Sequence, residues 1–489
     1  MDGDLVIGID VGTTAVKAGL LDSGGTLIDD YAAPYPTNRP DSALVEQDPE
    51  SWVSLVSASL ERLAANGLPI AALGICSQVN THVFVGADGA PLFPAIVWQD
   101  GRASSEAAEL DARVTDEQRM AWWGAPLPID ASNVLARMLW MARHRSDIWE
   151  ETKHVMLPKD YCIFRLTGEL TADPLSNIGL VGKSLDYIPE VLDLVPGAAE
   201  RLVPPSDMRS IVGRVRHGPA SGVPVANGTM DAWTGLLGCG GHADGTTVYL
   251  SGTSEILGIT SRTVSATPGI VVFPEYQGIR LHAGPTQSGG ASQMWYCGLQ
   301  DLRPEQMAAL AARSDYARPA PIFLPHLHGE RAPIWNADAR ALFLGIEERT
   351  CAADMARSVY EGVAFSARHL LQSLEASAGV RNDVINCGGG GFQTDIWNQI
   401  RANVLARQCR RLAVKDPGVL GAAGLAGWAI EMHPDLSAVF RQITRFDRTY
   451  EPDAKMVALY EQLFPIYVDA ISANAELCRA WLNVDARHP

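Results

Sequence analysis

The run Asp10-Val11-Gly12-Thr13-Thr14, with Lys17 just beyond it, gathers a carboxylate, a glycine, two hydroxyls and an amine into one short stretch. Gly12 permits a sharp bend, Thr13 and Thr14 offer hydroxyls and turn amides to an anion, and Asp10 sets a carboxylate where it could hold Mg²⁺ beside a polyphosphate. The same residues also satisfy a plain hairpin turn. A second small-residue turn, Ser251-Gly252-Thr253-Ser254, repeats the Gly-Thr pair close to half the chain length later. Two related lobes, each opening on a phosphate-sized turn, would produce that spacing.

Both turns need strands to hold them. Leu5-Val6-Ile7-Gly8-Ile9 and Ala15 to Leu21 flank the first turn, and Thr247-Val248-Tyr249-Leu250 and Glu255 to Thr260 flank the second, so each is expected to tip a β-hairpin. Helical periodicity marks Pro49 to Ala65, Ala103 to Arg113 and Asn133 to Arg143, with strand-like pieces near Ala71 to Cys76 and His82 to Gly86. Residues 196–228 are loop-rich, a helix follows over Thr229 to Gly238, and Gly240-Gly241 marks a boundary between domains at 1–244 and 245–489. The second half is strand-rich to about 290, helical from Pro304, loop-like over Phe323 to Ala341 and helical over Cys351 to Ser377. It turns at Gly388-Gly389-Gly390-Gly391 and is expected to be mostly helical afterwards. Gly418 to Ile430 is too short and glycine-rich to span a bilayer and is expected to form a buried, close-packed helix.

Composition excludes several classes. The 489 residues are 47% hydrophobic and 19% charged, as in ordinary globular domains, and the net charge of −17 opposes nucleic-acid binding. The longest basic clusters are short, such as Arg407, Arg410 and Arg411. No cysteines stand at zinc or C-x-x-C spacing, and the N-terminus MDGDLVIGID lacks a secretory pattern, so a reducing, cytoplasmic protein without membrane attachment is expected. Asn177 to Ser184 misses the first glycine of a P-loop, and Gly238 to Ala243 carries a loose GxGxxA after a helix instead of a strand. His326 and His328 have no third ligand at metal spacing, and Trp122-Trp123 fits a core or interface role. The sequence sets no oligomeric state, and a homodimer is compatible with it.

The paired turns resemble the phosphate hairpins of the sugar kinase, actin and Hsp70 ATPase fold, and further blocks narrow the likeness. Ala95-Ile96-Val97-Trp98-Gln99-Asp100-Gly101-Arg102 resembles the AIxWxDxR segment of FGGY carbohydrate kinases, Leu157 to Glu169 their PKDYxxxRLTGE block, and Leu324 to Pro333 their LPYLxGERxP loop. Ala341 to Glu361 resembles the family's second signature. The resemblance runs from the first hairpin to about Met432 and implies a two-lobe α/β fold with a cleft between the lobes, the first carrying sugar and base, the second adenine.

On that resemblance Asp231, in Gly228-Thr229-Met230-Asp231-Ala232-Trp233, is the catalytic base, although a helix-start carboxylate also caps free amides. Gln78, Asn80, Trp98, Asp100 and Arg102 would join Asp231 at the sugar, while Asp10 would hold Mg²⁺. Gly12, Thr13, Thr14 and Lys17, then Ser251, Gly252 and Thr253, then Gly389, Gly390, Gln393, Asn398 and Asn403 would bind ATP. Arg102, Glu330 and Arg331 equally suit a structural ion pair. The implied reaction is ATP-dependent phosphorylation of a small sugar or polyol. Overall the chain is most similar to xylulokinases, which makes D-xylulose the first substrate to consider. Those enzymes carry Gln-Met-His where this chain has Gln78-Val79-Asn80, and Asn where Ala232 stands; Asp231-Ala232 resembles ribulokinases instead. Other ketoses and polyols such as ribulose or erythritol therefore stay open. An Hsp70- or actin-like ATPase would hydrolyse ATP without sugar, and a silent sugar-binding regulator would not need both Asp10 and Asp231.

Overall fold

The structure, a computed structural model, describes residues 5–485 apart from 42, 66, 125 and 266. Residues 1–4, part of the N-terminus on which the absence of a secretory pattern was argued, lie outside the described residues. The chain forms two compact units: one runs through Gly238 and takes back Phe273–Gln277 and Asp416–Thr444, and the other comprises Cys239–Val272, Gly278–Lys415 and the chain from Arg445 onward.

The first unit is built on a six-stranded sheet in the order Ile211–Arg214, Pro224–Ala226, Ile70–Ser77, Leu5–Val11, Ala15–Leu21, Leu27–Pro34. Leu5–Val11 pairs antiparallel with the next strand and parallel with Ile70–Ser77, so the hairpin expected at Gly12 is present and the first strand is central. Burial on both faces explains its unbroken apolar run, Val6 to Ile9. One face carries the helix Pro49–Leu63, whose Trp52, Val56 and Leu60 pack with Ile7, Ile9, Leu73 and Ile75.

The other face takes Pro417–Ala429, the apolar helix expected near 418–430, and this return explains why the units are not the continuous halves 1–244 and 245–489. A helix apolar on every side must be covered on every side. The sheet meets it through Gly8 and Gly74, where a Cβ would lie 2.0 Å from the Val419 carbonyl oxygen and 2.1 Å from that of Ala422. Only residues without side chains let backbone approach backbone so closely.

The second unit repeats the plan. Its seven-stranded sheet runs Val271–Val272, Arg280–Pro285, Glu255–Ser261, Thr247–Ser251, Val384–Gly388, Gln408–Leu412, Phe446–Tyr450. Again a hairpin's first strand pairs in parallel with a later strand, and that strand in parallel with the next. The helices Ala352–Ala378 and Asp395–Leu405 cover it. The chain after the glycine loop is mostly helical, as expected from sequence, with two short strands at 408–412 and 446–450 added to the sheet. The basic cluster sits on the first of them: Arg411 pairs with Asp447, Arg410 donates to Asn386 Oδ1 at 2.7 Å, and Arg407 pairs with Glu375 at 3.1 Å. Arg411 thus meets a carboxylate of the neighbouring strand, Arg407 one on the helix Ala352–Ala378 and Arg410 an uncharged amide, so all three are tied into the unit.

Candidate functional site

In the first unit the parallel register sets Asp10 beside Cys76 and Val11 beside Ser77, and Ser77 bridges to Met230, the residue before Asp231. Asp10 and Asp231 thus arrive at the C-terminal edge of the sheet from the two sides of the strand Ile70–Ser77, where open α/β sheets bind ligands. Gly228 makes the approach possible: it has φ +66°, and a Cβ there would lie 2.3 Å from the Ile75 carbonyl oxygen. A buried network grips the same turn. Lys159 lies 2.5 Å from Asp160 and 3.2 Å from Asp173, and Asp173 accepts from the Thr229 hydroxyl at 2.7 Å. The PKDY block therefore braces the segment that aims Asp231.

Asp231 opens the helix Asp231–Gly238, and its Oδ1 accepts from the Ala232 amide at 2.7 Å. The residue is half-buried, and dense surroundings together with the nearby Asp10 charge push its carboxyl up to about 7. Burial likewise raises Asp10 to about 6, against the pull of Lys17. Lys17 itself is paired with Asp416 at 2.5 Å. Asp10 Oδ1 is buried with no hydrogen-bond partner among the described residues. A hard cation would satisfy that orphaned anionic oxygen.

Of the residues assigned to the sugar, Gln78 and Trp98 are bonded into the first turn. The Gln78 amide nitrogen donates to the Gln47 Oε1 at 2.8 Å, and Gln47 donates to the Thr13 carbonyl at 2.8 Å. Trp98 Nε1 donates to the Thr13 hydroxyl at 3.0 Å. Thr14 is exposed at the tip. Asp100 and Arg102 are committed to one another and to the short strand Leu44–Gln47 that precedes the helix at 49: Arg102 lies 2.8 Å from Asp100 and 2.7 Å from Glu46, and Asp100 accepts from the Val45 amide at 2.6 Å. They form a structural ion pair. Asn80 donates to the Ser132 hydroxyl at 3.2 Å.

In the second unit, the Gly252 amide closes the 252–254 turn onto the Ser254 carbonyl at 2.9 Å. Gly252 and Thr253 are exposed at its tip. The glycine loop follows the neighbouring strand: Gly389 has φ +96°, with a Cβ position 2.5 Å from the Ser251 carbonyl oxygen. Arg401, wholly buried, ties the two together. Its guanidinium donates to the Ser251 hydroxyl at 2.8 Å, the Gly391 carbonyl at 2.8 Å and Glu255 at 2.7 Å. Phe392 and Trp397 flank it at 4.3 and 3.9 Å. The Ser251 hydroxyl is thus spent inside the fold, and Asn398 likewise donates to the Phe392 carbonyl at 2.7 Å. Asn403 holds the Asp453 amide at 2.8 Å, while Gln393 and Gly390 are exposed. Glu330 accepts from Ser288 and from the Gln287 amide, both at 2.5 Å.

Two family profiles match this chain: the N-terminal domain of the FGGY family of carbohydrate kinases over residues 5–238 and its C-terminal domain over residues 248–430. The chain belongs to the FGGY family of carbohydrate kinases. It is 28% identical to a xylulose kinase of Escherichia coli strain K12, with 94% of this chain and 100% of the relative covered. A ligand-bound xylulose kinase from Lactobacillus acidophilus matches with a TM-score of 0.87 at 26% identity, covering 96% of this chain and 98% of that one. A gluconate kinase from the same organism gives 0.87 and 26%, covering 97% and 99%. The fold is the FGGY and actin-like ATPase fold, and this FGGY protein is an ATP-dependent carbohydrate kinase. No helix among the described residues is long and apolar enough to cross a membrane.

Several supporting residues of the FGGY kinase carry no motif. Arg137 and Arg401 are wholly buried arginines; Glu255 joins the network of Arg401, Ser132 meets the turn that Arg137 holds, and Asp173 completes the separate network of Lys159. The signal available for the arginines is a charge inside an apolar stripe: Arg137 falls between Val134, Met138 and Met141, and Arg401 between Trp397, Ile400 and Val404.

Proposed function

We propose that this enzyme transfers the γ-phosphoryl group of ATP to a hydroxyl of a small ketose or polyol, with Asp231 receiving the hydroxyl proton. The observation that carries this reading is the placement of Asp231 and Asp10 at the same edge of the sheet, on either side of Ile70–Ser77, where burial and the Asp10 charge push the Asp231 carboxyl up to about 7. A base titrating near neutrality is ionised often enough to act and basic enough to take a proton. Thr229, Asp173 and Lys159 brace the turn that carries it, and positioning is most of what phosphoryl transfer asks of a protein.

Asp10 is the residue we assign to Mg²⁺, on its unpartnered buried oxygen. Bound there, the cation would neutralise charge on the phosphates. Among the described residues no three His, Cys, Asp or Glu side chains converge as ligands, so the protein would supply one or two carboxylates, Asp10 among them, as Mg²⁺ that keeps its waters and phosphate oxygens requires. The amides of the 12–14 turn and, in the second unit, of the 252–254 turn and Gly389-Gly390 would take the nucleotide; Arg401 sets the latter two in register. The described cysteines all stand free, the state that a reducing cytoplasm maintains.

D-xylulose is the first substrate to test, since relatives named xylulose kinase span nearly the whole chain. Asn80 and Ala232 alter two polar positions beside the sugar, so another ketose or polyol should match or exceed it in kcat/KM. Carbohydrate-dependent ADP release across pentuloses, hexuloses, tetritols and D-gluconate tests both statements. ATP consumption indifferent to every carbohydrate would defeat the first, and D-xylulose outrunning all others by several orders of magnitude the second.

A further inference from the structure

Asn80 sits at φ +55°, a left-handed conformation few residues other than glycine adopt. Its carbonyl accepts from the guanidinium of Arg137, which also donates to the carbonyls of Ile96 at 2.8 Å, Val97 at 2.6 Å and Ala131 at 3.2 Å, and meets His82 Nδ1 at 2.9 Å. One buried cation therefore fixes the backbone of three segments: the turn bearing Gln78 and Asn80, the chain entering Trp98, and the loop before the helix Val134–His144. Charge-assisted bonds of this kind are roughly twice as strong as neutral ones, enough to hold the strained turn.

The third segment brings Ser132 against the Asn80 side chain, and hydrogen-bond counting then settles which way that amide faces. An ionised carboxylate only accepts. Asp130 Oδ1 takes the Ser132 hydroxyl at 2.7 Å and its amide at 2.8 Å. The single hydroxyl proton of Ser132 is thereby used, so its oxygen can only accept from its other neighbour. Asn80 lies 3.2 Å away and must meet it with Nδ2. The remaining atom of the half-buried amide, Oδ1, is left as an acceptor.

We propose that Ser132 is a positioning residue for substrate selection: by anchoring Nδ2 it makes Asn80 present Oδ1, so the site reads a substrate hydroxyl and disfavours a carboxylate at that point. This rests on the reading of Gln78 to Asn80 as the sugar side. An amide oxygen facing a carboxylate leaves two acceptors with no proton between them, and Asp10 and Asp231 in the same unit add like charge. The inference separates neutral ketoses and polyols from aldonates, the class of substrate in the name of one solved relative.

The test is kcat/KM for D-xylulose, D-ribulose, erythritol and D-gluconate at saturating Mg-ATP in the wild type, Ser132→Ala and Ser132→Thr. The best neutral sugar should exceed gluconate by about a hundredfold or more in the wild type, the scale of a site built for a hydroxyl. Ser132→Ala frees the amide to turn and should narrow that ratio about tenfold, through KM for the carbohydrate, with KM for ATP within about twofold. Ser132→Thr keeps the hydroxyl and should restore it. An unaltered ratio in Ser132→Ala, or a wild type that prefers gluconate, overturns the proposal while leaving the kinase reading intact. ADP release that no carbohydrate stimulates would instead defeat the sugar site itself.

Discussion

Replacing Asp231 by Asn should abolish most turnover and stabilise the fold in alkaline solution, and the two effects together distinguish a base from a cap. Asn keeps the size and the bond to the Ala232 amide, and Asn and Asp cap helices almost equally well. It cannot take up a proton at neutral pH, so kcat should fall by roughly a hundredfold or more with carbohydrate still bound. The stability effect follows from the carboxyl standing near 7 instead of its ordinary 3.8. A carboxyl raised on folding binds protons more tightly folded than unfolded. Its contribution is fully present below about 3.8 and is lost as pH rises through about 7. Three units correspond to a ceiling of about 4 kcal/mol, and partial exposure of the residue should reduce this to about 1–3 kcal/mol. Denaturation at pH 5 and pH 8 would therefore find the variant gaining on the wild type at both, and distinctly more at pH 8 than at pH 5. In the wild type kcat/KM should rise with pH through about 7. Turnover within a few-fold of wild type, or a stability change that ignores pH, would refute the assignment.

Asp10→Ala removes the carboxylate assigned to Mg²⁺; turnover should fall at least about a hundredfold and the Mg²⁺ titration midpoint should shift upward, and near wild-type activity with unchanged Mg²⁺ dependence would defeat the assignment. Arg401→Met strands the Glu255 charge in the core, which should cost about 3–5 kcal/mol by chemical denaturation, while Arg401→Met with Glu255→Gln should recover much of it. In that double variant, as in the single one, KM for ATP should rise about tenfold while KM for carbohydrate moves less than about twofold, because the 252–254 turn and the glycine loop lose their shared tie. Asn80→His with Ala232→Asn, which restores the residues of xylulokinases, should raise kcat/KM for D-xylulose relative to the best alternative substrate; an unchanged ranking would show that these positions do not choose the sugar.

What could be read from the chain before its structure follows from how far each feature reaches along it. The Gly12 and Gly252 hairpins are complete within about fifteen residues, so turn chemistry and flanking apolar runs declare them. The helix Pro417–Ala429 declares its burial just as plainly, but its partner strands carry Gly8 and Gly74, hundreds of positions earlier, and no local pattern says that a late helix closes the first unit. The strand Gln408–Leu412 hides for a different reason: it is short, and its arginines are balanced only by residues elsewhere in the second unit.

The site divides along the same line. Asp10 near the end of a strand, Thr13 in the turn that follows and Asp231 at a helix start are half-buried, and chemistry so placed leaves a mark in sequence. Lys159, which braces the turn before Asp231, and Arg137 and Arg401, which hold the turn at Asn80 and the glycine loop, lie in helices, where nothing local names the segment each one holds. Yet a buried cation costs several kcal/mol unless its donors are satisfied, and a helix cannot satisfy them from its own backbone. A charge on an apolar stripe must therefore bind carbonyls or carboxylates from other segments, and the segments with carbonyls to spare are turns. That is why Arg137 ends on Asn80, Val97 and Ala131, and Arg401 on Gly391 and the strand end at Ser251. The apolar stripe of a helix, scanned for the charge that interrupts it, points to the loops whose shape the chemistry depends on.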